Sequence, residues 1–310
     1  MKGFLSNMYI DEFTHRQIMT ERFYEYHHYR NDKPPMIDFH QHVFYEIYIF
    51  ISGDVNYIIE GRTYKLRPGD ILLTNNSDIH RPEIAPSQFP YERIIIWLNH
   101  EFFDRLRDIG EDLTACFQDA SNRDYRLFRP NESQMMKIQS ACHTIEQERT
   151  SSRLGNRVMA YSSIMEILVL LSRAYYEISD SARQDVMENE HINQIVAYIN
   201  NHYNEDLTLD YLAEQFYLSK YHLSRQFKQF TGLSLYQFIM KKRLTIARNM
   251  LMYGKTVTEA YTECGFNDYS NFLKAFKREF GEKPSDFMKN KETLKSISGN
   301  KYPKNKKSAQ

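Results

Sequence analysis

The chain has 310 residues, 42% of them hydrophobic, with 40 Lys plus Arg balanced by 40 Asp plus Glu. That length allows more than one core; no apolar run approaches the ~18 residues of a membrane span, and Met1 to Asp11 lacks the basic-then-apolar order of a signal peptide, so membrane and secreted classes are set aside and a cytoplasmic location is expected. Cys116, Cys142 and Cys264 are too scattered for a disulfide framework or a paired-cysteine zinc site and read as reduced, mostly buried thiols.

From Phe39 to about Asn99 the sequence reads as short strands, FYEIYIFISG, DVNYIIEGRTYKL, RPGDILLTN and YERIIIWLN, each rich in Ile, Tyr and Val and closed by turn formers. Closely spaced strands with no long helix between them predict a sandwich or barrel, over residues 1–130. Between Glu132 and Ile178 the period changes to helical, and TSSRLGN splits the segment into an antiparallel hairpin over 131–179. Its second helix carries Val158, Tyr161, Met165, Leu168 and Tyr175 on one side and Ile164, Ile167 and Leu171 on the other. That arc is too wide for one neighbour, which predicts a dimerisation surface. The polar stretch at 180–190 reads as a linker.

The zero net charge hides an asymmetry, because His191 to Gln310 holds 19 Lys plus Arg and 11 Asp plus Glu. A basic module beside an acidic one is what a polyanion binder shows. Six of those lysines lie beyond Asn290, in a polar 291–310 tail that is expected to be disordered. Between them, residues 191–290 read as short helices with legible punctuation. Thr208 and Ser219 are N-cap candidates, Ser234 with Gln237 and Thr256 with Glu259 form capping boxes, and Gly232, Gly254, Gly265 and Gly281 sit where helices end. The turn Tyr217-Leu218-Ser219 joins two helices as in a helix-turn-helix.

The unit repeats: Leu223, Phe227, Lys228 and Gly232 recur as Phe272, Phe276, Lys277 and Gly281, at a constant offset of 49. One helix from Leu235 to Met252 lies between the copies. At ~1.5 Å per residue it spans ~27 Å, which with flanking turns suits two recognition helices about one DNA turn, ~34 Å, apart. With the apolar residues facing the scaffold, Lys220, Tyr221, Ser224, Arg225 and Lys228 remain for DNA in the first copy, and Tyr269, Ser270, Leu273, Lys274 and Lys277 in the second. Arg225 suits bidentate reading of a guanine, Tyr221 and Leu273 a thymine methyl, and the outlying lysines phosphates. The plainer alternative is a solvated face of an ordinary helical domain.

With LAEQFYLSKYHLSRQFKQFTG, RLTIARNML and CGFNDYSNFLKAFKREFGEKPSDF in place, the segment from Ile192 to Phe287 resembles the DNA-binding domain of the AraC/XylS family of bacterial regulators. The resemblance implies two recognition helices per protomer and, usually, promoter activation. One departure stands out: the first copy has Leu212-Ala213 and the second Ala260-Tyr261, where the family keeps a small residue. Tyr261 is expected to splay the second unit, leaving base reading mainly to the first.

In the strand region, His40-Gln41-His42, Glu46 and Gly53, then Pro68-Gly69-Asp70 and His80, resemble the two motifs of the cupin jelly roll, a common sensory domain of the same family, though Asn75 and Ser77 stand where Pro and Gly are usual. The fold class expected is therefore α+β multidomain, a cupin-like jelly roll with a helical hairpin followed by an all-α tandem helix-turn-helix. His40, His42, Glu46, Tyr48, His80 and Trp97 are the candidates for an effector pocket, with a sugar or related metabolite as the expected ligand. No cofactor and no catalytic residue is assigned. Two alternatives stay open: His40, His42, Glu46 and His80 as ligands of Fe, Mn, Zn or Ni, even in a metal-dependent enzyme, or a ligand-free sensor in which these groups are structural. The expected partners are double-stranded promoter DNA, a small effector, RNA polymerase and a second copy of the chain.

Overall fold

The computed structural model describes residues 10–14, 18–108, 110–122, 125–177, 186–187 and 189–289. The disordered tail expected at 291–310 and most of the linker expected at 180–190 lie outside them. The chain forms two compact units, Met1–Val196 with Tyr221–Ser234, and Ala197–Lys220 with Leu235–Gln310.

The first unit is built on two antiparallel sheets. One runs in the order β1 (Tyr24–Asn31), β7 (Tyr91–Leu98), β2 (Tyr45–Ser52), β5 (Ile71–Thr74) and β8 (Leu127–Phe128). The other runs β6 (His80–Ala85), β3 (Asp54–Ile59), β4 (Arg62–Lys65) and β9 (Val186–Met187). The non-consecutive neighbours make this a jelly-roll kind of sandwich, as expected. Between β3 and β4 the two-residue turn Glu60-Gly61 has φ of 50° and 83°, the positive pair that lets a tight hairpin follow the strand twist.

The period of two along β2 decides what each face does. Ile47, Ile49 and Ile51 join Ile71, Leu73, Ile94, Ile96 and Leu98 on a face that packs against helices. Those helices are α1 (His100–Arg107), α2 (Ala115–Asn122), α3 (Glu132–Arg149) and α4 (Asn156–Glu177). The alternate residues Tyr48 and Phe50 point the other way, into a core shared with Val55, Tyr57, Ile59 and Tyr64 of the second sheet. Glu46 has the same parity and is paired across the sheet with Trp97 and Thr74, so a carboxylate is carried into the interior by register alone.

The expected hairpin of α3 and α4 is present, with Asn131 and Gln134 forming a capping box at its start. The wide apolar arc of α4 has more than one neighbour: Ile164, Ile167, Leu168 and Leu171 are fully buried in the cluster with α3, α1, α2 and the sheet. Tyr161 tilts on Phe102, with ring centroids 4.4 Å apart. Among the described residues of α4, the exposed large apolar side chains are Val158 and Met159 at its start, next to the exposed Leu154.

Helices α5 (Glu190–His202), α6 (Leu209–Gln215), α7 (Lys220–Thr231), α8 (Leu235–Met252), α9 (Val257–Glu263) and α10 (Tyr269–Phe280) follow. The expected bounds of α8 are met, the Thr208 side chain caps α6, and Thr256 with Glu259 forms the capping box of α9. Residues 216–219 join α6 to α7, whereas 264–268 join α9 to α10. The second turn is one residue longer, so the N-caps Thr208 and Thr256 repeat at 48 while the starts of α7 and α10 repeat at 49.

In the second unit Leu244, Ala247 and Leu251 of α8 bury Ala260, Phe272, Ala275 and Phe276. Arg243 braces this unit by donating to the carbonyl oxygens of Tyr203 (2.6 Å), Glu205 (2.5 Å) and Gly265 (2.8 Å). A guanidinium presents enough donors in fixed geometry to meet three carbonyls at once.

Candidate functional site: nucleic-acid interface and sensor pocket

Helix α7 is amphipathic at a spacing of four. Leu223, Phe227 and Thr231 are buried in succession, which turns the opposite side outward. Lys220, Tyr221, Ser224, Arg225 and Lys228 are all exposed, Tyr221 at 77%. Tyr221, Ser224, Arg225 and Lys228 line one open recess together with Gln229, which sequence reasoning left out although its helical position was readable. An exposed tyrosine, two cations, a hydroxyl and an amide on one helix face form the donor set that base edges and phosphates need. Lys220 is ion-paired with Asp210 at 2.8 Å on the surface, a contact water screens strongly.

Helix α10 starts on Asp268, whose carboxylate accepts the Asn271 amide, and buries Phe272, Ala275 and Phe276. Tyr269, Ser270, Lys274 and Lys277 are exposed and Leu273 is half-buried. Tyr261, the residue expected to disturb this unit, lays its ring 5.6 Å from Tyr269 and 6.1 Å from Phe272. The tyrosine is thereby packed on α10 itself, at the start of the face that carries the candidate contacts.

The second constellation lies inside the β sandwich. His40 is joined to His80 through a pair of backbone hydrogen bonds of 3.1 and 2.9 Å, and His42 follows two residues later. One ring nitrogen from each of His40, His42 and His80 lies within 4.8 Å of the others, with His42 and His80 fully buried and His40 half-buried at the rim. Glu46 Oε2 is 3.4 Å from His42 Nε2 and accepts from Trp97 Nε1 at 2.7 Å, while Glu46 Oε1 accepts from the Tyr57 hydroxyl at 3.3 Å. Of the expected pocket residues, His40, His42, Glu46, His80 and Trp97 thus come together. Tyr48 stands one step away, buried and hydrogen-bonded to the Tyr91 hydroxyl at 2.9 Å. Trp97 is wedged between Phe44 and His27, with ring centroids 4.6 and 4.9 Å away, so its face is a wall of the core.

Tyr57 and Phe44 belong to this group and were not legible beforehand. Tyr57 lies on the opposite sheet, and Phe44 stacks on His42 at 3.9 Å. Desolvation lowers the His80 imidazole to about 4, reinforced by His42, and it also holds His40 well below the ordinary histidine value, with His80 and His42 adding to it. Burial alone would raise Glu46, but His42 beside it, with His80 and His40 around it, brings its carboxyl down to about 2. The interior thus favours the uncharged forms of His40 and His80 beside one carboxylate.

Comparison with known proteins matches both regions. Residues 23–168 fit the AraC-like ligand binding domain, and residues 212–290 fit a helix-turn-helix domain. The HTH-type transcriptional activator RhaS of Salmonella arizonae is 28% identical over 260 residues, covering 82% of this chain and 88% of the relative. RhaS of Escherichia coli is 27% identical over 263 residues, covering 83% and 90%. Among solved structures, the C-terminal domain of AraT, a response regulator from Geobacillus stearothermophilus, is 28% identical over 33% of this chain and 86% of that one, with a TM-score of 0.32. ToxT from Vibrio cholerae is 12% identical over 86% of this chain and 98% of that one, with a TM-score of 0.36.

Proposed function

Because the chain belongs to the AraC/XylS family of transcriptional regulators, with an AraC-like ligand-binding domain followed by a helix-turn-helix domain, we propose that it is a sequence-specific activator of transcription governed by a small effector taken up in the β sandwich. The observation that carries this reading is the outward face of α7, where Tyr221, Ser224, Arg225 and Lys228 stand together over a buried Leu223 and Phe227. Arg225 reads a base edge, and Lys228, Lys274 and Lys277 neutralise phosphates. The activator sign is carried over from the named function of the relatives, and with it comes contact with RNA polymerase in the cytoplasm.

The effector is small and polar, because His42, Glu46 and His80 offer it donors and acceptors in an otherwise apolar interior. A sugar or related metabolite is the first class to try. Dimerisation through the exposed start of α4, at Leu154, Val158 and Met159, completes the proposal. No catalytic residue is part of it.

The test is a fluorescence-anisotropy titration of the full chain against the promoter regions flanking its own gene and against random DNA, over a salt series. Tighter binding to one promoter segment by at least ~10³ supports the reading. Equal affinity for both DNAs at every salt concentration removes it.

A further inference from the structure

Arg93 of β7 is only 1% exposed and carries its charge into the β sandwich. Register puts it there: it is paired with Tyr29 of β1 and Phe50 of β2, and Phe50 belongs to the core between the sheets. Its Nη1 donates to the Asn31 side-chain oxygen and to the Tyr91 carbonyl at 3.4 Å, both neutral acceptors. Nε and Nη2 are buried and meet no acceptor. A cation withdrawn from water without a counter-ion is costly, and unmet buried donors are rare enough to ask for a reason.

The two unmet donors lie on one edge of the guanidinium, where the Nε–H and an Nη2–H run parallel at the spacing of two carboxylate oxygens. Around the group stand the rings of Tyr91, Tyr29 and Phe13, with centroids 4.1, 4.9 and 5.0 Å from Cζ. Ring faces offset part of the lost hydration, but they do not fill donors in the guanidinium plane. Tyr29 and Tyr91 are buried and Phe13 is half-buried, so this cage meets solvent at Phe13. Tyr48 and Tyr91 bond hydroxyl to hydroxyl at 2.9 Å, which uses one of their two protons and leaves the other to donate. Arg93 acts electrostatically on both of these hydroxyls, and on that of Tyr57, which donates to Glu46. Glu46 is paired with Trp97, four residues along β7 from Arg93, or ~13 Å of strand. The interior thus has a cationic end and an anionic end.

We propose that Arg93 anchors a carboxylate of the effector, held bidentately by Nε and Nη2, with the Tyr48–Tyr91 pair donating a further hydrogen bond. The proposal rests on the β domain being the ligand-binding sensor, and it narrows the ligand from a sugar or related metabolite to a small hydroxy acid. The hydroxyls of such an acid suit the Glu46 end, where a carboxylate accepts, and its charge suits the Arg93 end. A neutral sugar leaves the cation uncompensated. A phosphate dianion brings two charges into a cage that offers one.

The experiment follows thermal unfolding of the full chain in sodium acetate and sodium D-gluconate, against sodium chloride, sodium phosphate and D-glucose, the salts at matched ionic strength. A saturable rise of about 2 °C or more with a carboxylate, over chloride, is expected. Arg93→Met, of similar length and without charge, should lose that rise. In chloride it should unfold at or above the wild-type temperature, because an unpaired buried cation has been removed. Arg93→Lys keeps the charge without the edge and should need at least about tenfold more carboxylate for the same rise, a test that stands even where Arg93→Met does not fold. No carboxylate response in the wild type overturns the proposal, and a lower unfolding temperature of Arg93→Met in chloride then makes Arg93 a structural cation held by its rings. An equal carboxylate response in wild type and folded variants means an adventitious ion only. A phosphate response above both carboxylates overturns the assignment of ligand class. Promoter binding by the same preparations is measured in parallel. Sequence-specific DNA binding without a carboxylate response sinks the anchor alone, and a carboxylate response without sequence-specific DNA binding sinks the regulator reading alone.

Discussion

Phe39 rests so tightly on Gly232 that a Cβ built on the glycine would overlap the Phe39 ring. Gly232 closes α7 with φ of 72°, and Phe39 immediately precedes His40 of the sensor pocket. Beside it, Gly61 of the β3–β4 turn faces the Thr231 methyl at 3.4 Å from where a Cβ would stand. The segment that leads into His40 and the end of α7 thus share one contact.

Gly232→Ala therefore meets two costs, a left-handed backbone of ~1 to 2 kcal/mol and steric overlap with Phe39. Urea unfolding is expected to show a loss of about 2 kcal/mol or more. Phe39→Ala in the same chain should return the steric part and leave the backbone part. If the second substitution restores nothing, the contact is not the source of the loss.

Arg225→Ala is expected to relax discrimination at one base pair by ~1 to 3 kcal/mol, measured by competition among single-base variants of the bound promoter segment. A uniform loss on specific and random DNA would reassign Arg225 to a phosphate.

Lys277→Ala is expected to weaken binding evenly across sequences and to lower the slope of log affinity against log salt by about one. An unchanged slope would take Lys277 out of the interface.

Arg243→Ala leaves the carbonyls of Tyr203, Glu205 and Gly265 without their shared donor. A loss of ~2 to 3 kcal/mol in the stability of the second unit is expected, and Arg243→Lys, a point charge in place of a fork, should recover only part of it. Full recovery with lysine would show that charge alone matters there.

Cys116, Cys142 and Cys264 are buried, and burial pushes the Cys142 and Cys264 thiols up to about 12. Since the thiolate is the reactive form, Ellman's reagent at pH 8 should react slowly with the native chain and at once with the unfolded one. Rapid release from native protein would contradict the packing of these sites.

What was readable beforehand follows from the range over which each signal acts. Thr208, Thr256 and the glycines at 254, 265 and 281 work within one turn of their own helix, so α8 and the caps of α6 and α9 were found in place. Strand β2, an unbroken run of β-branched and aromatic residues, was equally plain. Strand β1, YEYHHYRN, was missed because Glu25 and His28 are polar yet buried, and the partners that satisfy them, Thr20 and Glu21 for Glu25 and Glu92 for His28, are set by the fold. β6 was missed because Pro82 sits inside it, tolerated where it pairs with Tyr57 on a strand at the sheet's edge.

Sequence by itself determined the helix periods, the repeat that marks two recognition helices, and the residue types of the pocket. These are encoded in neighbours three, four or two positions apart, which the chain cannot rearrange without losing its pattern. Tertiary structure alone decided that Tyr57 would reach Glu46 from the other sheet, that α4 would bury most of its apolar arc within the chain, and that Phe39 would meet Gly232. Those contacts join residues 11 to 193 positions apart, and a linear sequence carries no local signal for which distant side chain will arrive opposite another.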